Sequence, residues 1–290
     1  MKIFYFPFSI FDLTLGLSGL ISAVFLAGCA IPKYPATPLC PGKATAAEVV
    51  SVLRDKQAAP LSLVCAVDCR LEFTAPDGKS QKETFGGKLF FVDPDKLCIA
   101  GEKFGPIRIG VNAEEFWMYF KPIDTAWYGL RSNTSNCADK SGFNPSSMVY
   151  LTEAFGRIDL NADWTLTSDP GYDLLTTANG RGIKRVYVNC CTNQIERIEY
   201  CDLLRNQVTL VASADLSDYK TVAGVGEVPG VIQLRHFRTS QSDMMFQLKL
   251  SAIKVFIPTA VQQEKLFVRP EPKGYDKIYR LNEQCDFVME

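Results

Sequence analysis

Between Val64 and Ala75 the chain reads VCAVDCRLEFTA, and its apolar and polar residues alternate. Successive side chains of a strand point to opposite faces, so Cys65, Val67, Cys69, Leu71 and Phe73 share one face, while Asp68, Arg70, Glu72 and Thr74 share the other. That is the pattern of a half-buried strand. The same period returns along most of the chain. PDGK at 76–79 turns it into ETFGGKLFFVD, where Gly86-Gly87 suits a bulge or a sharp bend. DPD at 93–95 turns it again into KLCIAG, and IRIGV, an Asn112-Ala113 turn and EFWMYF follow. Further strands are expected at DWTLT, YDLLTTA, IKRVYVNCC, IERIEYC, NQVTLVASADL, GVIQLRHFR and MMFQLKLSAIKVF, with TNQ (192–194) and SQSD (240–243) as hairpin turns. Short turns between about a dozen strands predict an antiparallel meander rather than parallel βαβ units.

Two segments break the period. Thr45-Ala-Ala-Glu48 has the spacing of a capping box, the stripe Val49, Val50, Val52 and Leu53 follows it, and Pro60 ends it, which predicts one short amphipathic helix. NPSSMVYLTEAFGRI (144–158) opens with an Asn cap and Pro145, and helical spacing puts Met148, Leu151, Thr152 and Phe155 on one side. A curved sheet of about eleven strands encloses more volume than its own side chains readily fill. The alternation nominates Val67, Leu71, Phe73, Leu89, Phe91, Leu97, Phe116, Met118, Leu210 and Leu248 as the apolar wall of such a cavity. The competing reading makes the same residues ordinary core packed against the helices.

The first residues follow another rule. Lys2 precedes an apolar stretch interrupted by Pro7 and Asp12, so Leu13 to Phe25 is its longest charge-free part. That suits the core of a signal peptide better than a membrane span, which needs about 20 apolar residues. LAGCA at 26–30 resembles the lipobox of bacterial lipoproteins. The resemblance implies that residues 1–28 are removed and that Cys29 becomes a lipidated N-terminus, with Ala30 in place of Asp favouring the outer membrane. Two acyl chains at roughly 0.8 kcal/mol per methylene make a stable anchor. Pro32, Pro35, Pro38 and Pro41 then recur every third residue, the period of polyproline II, so residues 29–43 read as a semi-rigid tether reaching roughly 40 Å. Residues 44–290 remain as a single domain.

The run FGGKLFFVDPDKLCIAG, then PIRIGVNAEEFWMYFKP, a middle helix, and RVYVNCCTNQIERIEYCD followed by VTLVASADLSDYKTVAGVGEVPGVIQL resemble the bacterial lipoprotein carrier and acceptor family of LolA and LolB over residues 45–285. This is a likeness of strand order and Gly/Pro positions, without a short diagnostic motif, so no ligand residue carries over. It implies a mainly β fold with few helices: an unclosed antiparallel β-barrel of about 11 strands with a helical lid over a hollow for acyl chains. It further implies acyl chains of lipids or lipoproteins as partners, a periplasmic carrier protein as donor, and a place in the envelope, anchored to the outer membrane and facing the periplasm. The other function expected of the same fold is a scaffolding or protein-interaction module with a filled core, its surface formed by the aromatics of EFWMYFKP and AWYGL.

Charge and missing motifs narrow the choice. Lysine and arginine total 31 against 32 acids, which leaves no broad positive field for nucleic acid. There is no G-x-S-x-G, no P-loop and no H-E-x-x-H, and the single histidine, His236, sits in a strand pattern without a recognisable partner. No catalytic residue, cofactor or metal is therefore expected. Nine cysteines besides Cys29 leave at least one unpaired if the rest form intramolecular disulfides. Cys65 and Cys69, about 13 Å apart on a strand, cannot bridge each other, and the adjacent Cys190 and Cys191 each need a distant partner. An exported chain is expected to carry one or two disulfides. Reactive, accessible thiols would instead mark a thiol sensor.

Overall fold

The computed structural model describes residues 40–74, 80–136, 145–180, 182–204, 207–238 and 241–290. Residues 1–28, expected to be a signal peptide, Cys29, the proline run up to residue 39 and the turn expected at 76–79 lie outside the described residues. Strand β1 (Ser62–Thr74) is the middle of a 15-stranded sheet. On one side follow β2 (Ser80–Val92), β3 (Lys96–Glu102), β4 (Pro106–Val111), β5 (Glu115–Phe120) and β6 (Thr125–Leu130), a meander in chain order. On the other side β1 pairs with β15 (Gln241–Val255), which leads through β14 (Val231–Arg238), β11 (Gln207–Ser217), β10 (Ile195–Leu204), β9 (Gly182–Asn189) and β8 (Tyr172–Asn179) to β7 (Thr165–Asp169). β12 (Lys220–Val222) and β13 (Gly226–Val228) form a separate ribbon. β16 (Lys277–Leu281) adds to β6 in parallel and β17 (Phe287–Met289) ends that side. β7 and β17 are the two free edges, so the sheet is unclosed.

The class is the one expected, mainly β and antiparallel, but β6, β12, β13, β16 and β17 are additions to the strands read from alternation. Gly86-Gly87 makes no bulge: the β1–β2 register runs unbroken through both. The glycine serves a close approach instead. Gly87 faces Gly101 of β3, and a Cβ on it would stand 2.5 Å from the Ala100 carbonyl oxygen. Of the SQSD turn, Gln241 onward belongs to β15.

Helix α1 (Ala46–Lys56) starts where the capping box predicts. The Thr45 hydroxyl accepts from the Glu48 amide at 3.3 Å, while the Glu48 carboxylate reaches back one residue further, to the Ala44 amide at 3.0 Å. Such a cap contributes about 1 kcal/mol. Val49, Val50 and Leu53 then bury their side chains against the sheet. The middle segment is helical but tighter than expected, two 3-10 stretches, Pro145–Leu151 and Glu153–Phe155. Met148, Leu151, Thr152 and Phe155 are nonetheless its buried side. Phe155 stacks on Phe91 of β2, with centroids 4.3 Å apart.

The body has two distinct ends. Lys56, at the close of α1, donates to the Thr192 carbonyl oxygen in the β9–β10 turn at 3.0 Å, so that turn and the start of β1 lie at one end. The opposite end, here the mouth, is formed where β1, β3 and β5 finish and β2 and β4 begin. At about 3.3 Å per residue, the 13 residues of β1 separate the two by roughly 43 Å.

The outer face of β3–β6 is also covered, which corrects the expectation of an exposed aromatic surface. Trp117 and Ala126 are fully buried, and with Tyr119 they pack against Tyr128, Tyr275 and Ile278. Helix α2 (Ala260–Phe267) closes the neighbouring stretch, placing Phe267 against Cys98 and Phe256. The residues after β15 supply this cover, and their short, mixed pattern gives no hint of it.

Candidate functional site

Val67, Leu71, Leu89, Phe91, Leu97, Phe116, Met118 and Leu248 all point into one continuous apolar cluster, none more than 2% exposed, and Phe73 packs against it half-buried. Leu210 is half-buried on β11 and lies outside that cluster. Along most of β1–β5 these side chains pack on each other and on the 3-10 segment.

An apolar opening lies at the mouth. Leu71 and Phe73 at the end of β1, Phe85 on β2, Ile107 on β4 and Met118 and Phe120 on β5 form its wall. Pro122, Ile123 and Trp127 close the β5–β6 side, and Gln81, Glu83 and Lys103 make a polar rim. Phe85 and Phe120 meet edge to face, with centroids 5.7 Å apart. Lys103 and Glu83 form an ion pair across the rim at 2.5 Å. The free volume is about 30 Å³, room for a water or two. That is too small for a hydrocarbon tail with the rim side chains as they stand. Next to Lys103, at the β3–β4 turn, Phe104 is 95% exposed and holds a φ of 52°, a backbone region that a bulky side chain rarely adopts.

Three of the ten nominated residues, Leu71, Phe73 and Met118, line this pocket. Phe85, Ile107, Phe120, Ile123 and Trp127 went unnominated. Strand parity was the available signal for three of them: Phe85 is in phase with Leu89 and Phe91, Ile107 with Ile109, and Phe120 with Met118.

A larger opening of about 590 Å³ lies on the outer face near β8–β11, and it is polar. Its groups are committed to one another: the Tyr172 hydroxyl donates to Glu196 at 2.8 Å, and Arg197 pairs with Asp215 at 2.6 Å. Among the described residues no group of three side chains has the makings of a metal site, and no helix is long and apolar enough to cross a membrane.

The cysteines divide into two sets. Cys40 and Cys191 form a disulfide across 151 residues, and Cys285 is disulfide-bonded too. Cys65, Cys69, Cys98, Cys190 and Cys201 are free and buried. Burial pushes all these thiols up, that of Cys65 to about 12, so they stay protonated at neutral pH. The residues ahead of α1 are fixed as well. The Lys43 amide donates to Asp173 on β8 at 2.9 Å and its ammonium donates to Asn193 at 3.0 Å, so Cys40 to Lys43 form a strap on the body.

No protein-family profile and no curated protein matches the chain. Among solved structures it is similar to a LolA superfamily protein from Nitrosomonas europaea, at 13% identity over 78% of this chain and 99% of that one, with a TM-score of 0.47. It is also similar to an outer membrane lipoprotein-sorting protein domain from Vibrio parahaemolyticus, at 11% identity over 74% and 94% of the two chains, with a TM-score of 0.48. A DUF1329 family protein from Desulfovibrio piger gives 10% identity over 74% and 94%, with a TM-score of 0.44.

Proposed function

We propose that the chain is a lipid-anchored envelope protein that binds the acyl chain of a lipid or lipoprotein at the mouth of its unclosed sheet, without covalent chemistry. The observation that carries this is the apolar pocket walled by Leu71, Phe85, Ile107, Met118 and Phe120, beside the almost fully exposed Phe104. Each methylene that leaves water contributes about 0.8 kcal/mol, so a few at the mouth give a gross gain of several kcal/mol, partly offset by ordering. The Cys40–Cys191 disulfide supports export to an oxidising compartment. On this reading Cys29 is the lipidated residue, the outer membrane its site and a periplasmic carrier the donor; Cys40, the first described residue, lies at the end of the body opposite the mouth.

The test is uptake of a fluorescent fatty acid by delipidated protein, with Ile123→Asp as the variant. Ile123 is 48% exposed, so the charge alters the rim and not the core. Saturable binding that the variant loses supports the reading, and no binding of any amphiphile by the native chain overturns it. One observation favours a second reading, a protein-interaction module: the inner face between the mouth and the strap end is packed by the protein's own side chains. On that reading fatty acid does not bind, and the same Ile123→Asp change weakens a protein complex instead.

A further inference from the structure

The end of the body opposite the mouth carries a cluster that acyl binding does not use. The Cys40–Cys191 bridge, with Cα atoms 5.1 Å apart, holds the strap to the β9–β10 turn. The residue before Cys191 is Cys190, a free thiol only 6% exposed. Beside it Asp173 is fully buried; its Oδ1 accepts from the Lys43 amide, its Oδ2 has no hydrogen bond of good geometry among the described residues, and after burial its carboxylate is the next cause that raises the Cys190 thiol. An unpaired carboxylate oxygen inside a protein is costly, so its place beside a thiol and a disulfide calls for a physical reason. Gly42 of the strap lies directly on both groups: a Cβ there would stand 2.6 Å from Asp173 Oδ1 and 3.6 Å from Cys190 Sγ. Consecutive Cα atoms are about 3.8 Å apart, so the Cα atoms of Cys40 and Cys190 are within roughly 9 Å of each other. A disulfide spans about 4.4–6.8 Å, which a strap shift of a few ångströms supplies.

We propose that Cys40, Cys190 and Cys191 form a thiol–disulfide exchange site in which the bridge passes between Cys40–Cys191 and Cys40–Cys190, with Asp173 as the proton acceptor. The Cys190 thiol, protonated at rest, passes its proton to Asp173 Oδ2 only as its sulfur attacks Cys40 Sγ, so no free thiolate builds up beside the carboxylate. The Cys40–Cys190 bond forms as the Cys40–Cys191 bond breaks, and Cys191 leaves as a thiolate that the proton returned by Asp173 neutralises through solvent. One S–S bond is lost and one is made, so no oxidant or reductant enters. Cys191 is exposed, whereas Cys190 is buried, so the exchanged form carries a surface thiol that the resting form lacks.

The experiment is alkylation of the intact oxidised chain with N-ethylmaleimide over time, followed by acid quenching and disulfide mapping by mass spectrometry. The expected result is alkyl label on Cys191 in step with a Cys40–Cys190 bridge, no label on Cys191 in Cys190→Ser or Cys190→Ala, and labelling slowed at least tenfold in Asp173→Asn. A native chain that keeps only the Cys40–Cys191 bridge and leaves Cys191 unlabelled overturns the proposal. So does Cys191 labelling at the native rate in both Cys190 variants. Neither result depends on acyl binding at the mouth.

Discussion

Phe91→Ala separates a packed inner face from a hollow one. The ring is fully buried on β2, between Leu63 of β1 and Leu97 of β3 in the ladder, both also fully buried, and it stacks on Phe155 with planes 15° apart. Removing a ring from a filled core loses its transfer energy and leaves a cavity, together about 3–5 kcal/mol, of which the aromatic pair supplies about 1 kcal/mol. For a chain of this size that is a fall in melting temperature on the order of 10 °C. Urea unfolding followed by circular dichroism measures the change, with Ile123→Ala at the exposed rim as a control expected to cost less than about 0.5 kcal/mol. A loss below about 1 kcal/mol in Phe91→Ala, with an unchanged denaturant slope, would mean that the ring borders an existing void, and the packed-interior account would fail.

Removing the strap's disulfide with Cys40→Ala and Cys191→Ala together releases a loop of 151 residues, worth about 5 kcal/mol of unfolded-state entropy, and thermal unfolding should show a large part of that loss. Gly110→Ala places a Cβ 2.1 Å from the Trp117 ring, so the indole must shift, at about 1–3 kcal/mol and with altered tryptophan emission. Burial holds the Tyr119 and Tyr150 hydroxyls up at about 12, against about 10 in the unfolded chain. The folded form therefore keeps protons that the unfolded form loses. Stability from these two groups is complete below pH 10 and drains between pH 10 and 12, which tyrosinate absorbance and unfolding in the same samples should show together.

Much of the inner face was legible because parity is a strict rule: in β1 each odd residue from Leu63 to Leu71 is buried. Parity names a face, however, and not a position along the strand. Val67 and Leu71 look alike in sequence, yet Leu71 lines the mouth and Val67 the middle of the core, because turn positions and strand ends decide which pairs reach an opening. Pairing across long separations was illegible for another reason. Lys277–Leu281 is a short, mixed segment, and its parallel register against β6 depends on where the preceding chain has crossed the outer face. The exposed-surface reading of Trp117 failed for that reason: β5 is apolar on both faces because both are covered. Similarly, the free and bonded cysteines could not be sorted by spacing, since Cys191 finds its partner only through the docking of the strap.

Trp127 lines the mouth, and it becomes the sole tryptophan in a chain carrying Trp117→Phe and Trp164→Phe. Titrating that chain with a fatty acid brominated along its tail measures where a hydrocarbon goes. The account predicts saturable quenching of Trp127 that Ile123→Asp abolishes. Emission that is untouched at saturating lipid, or quenched equally in the Ile123→Asp chain, would contradict it.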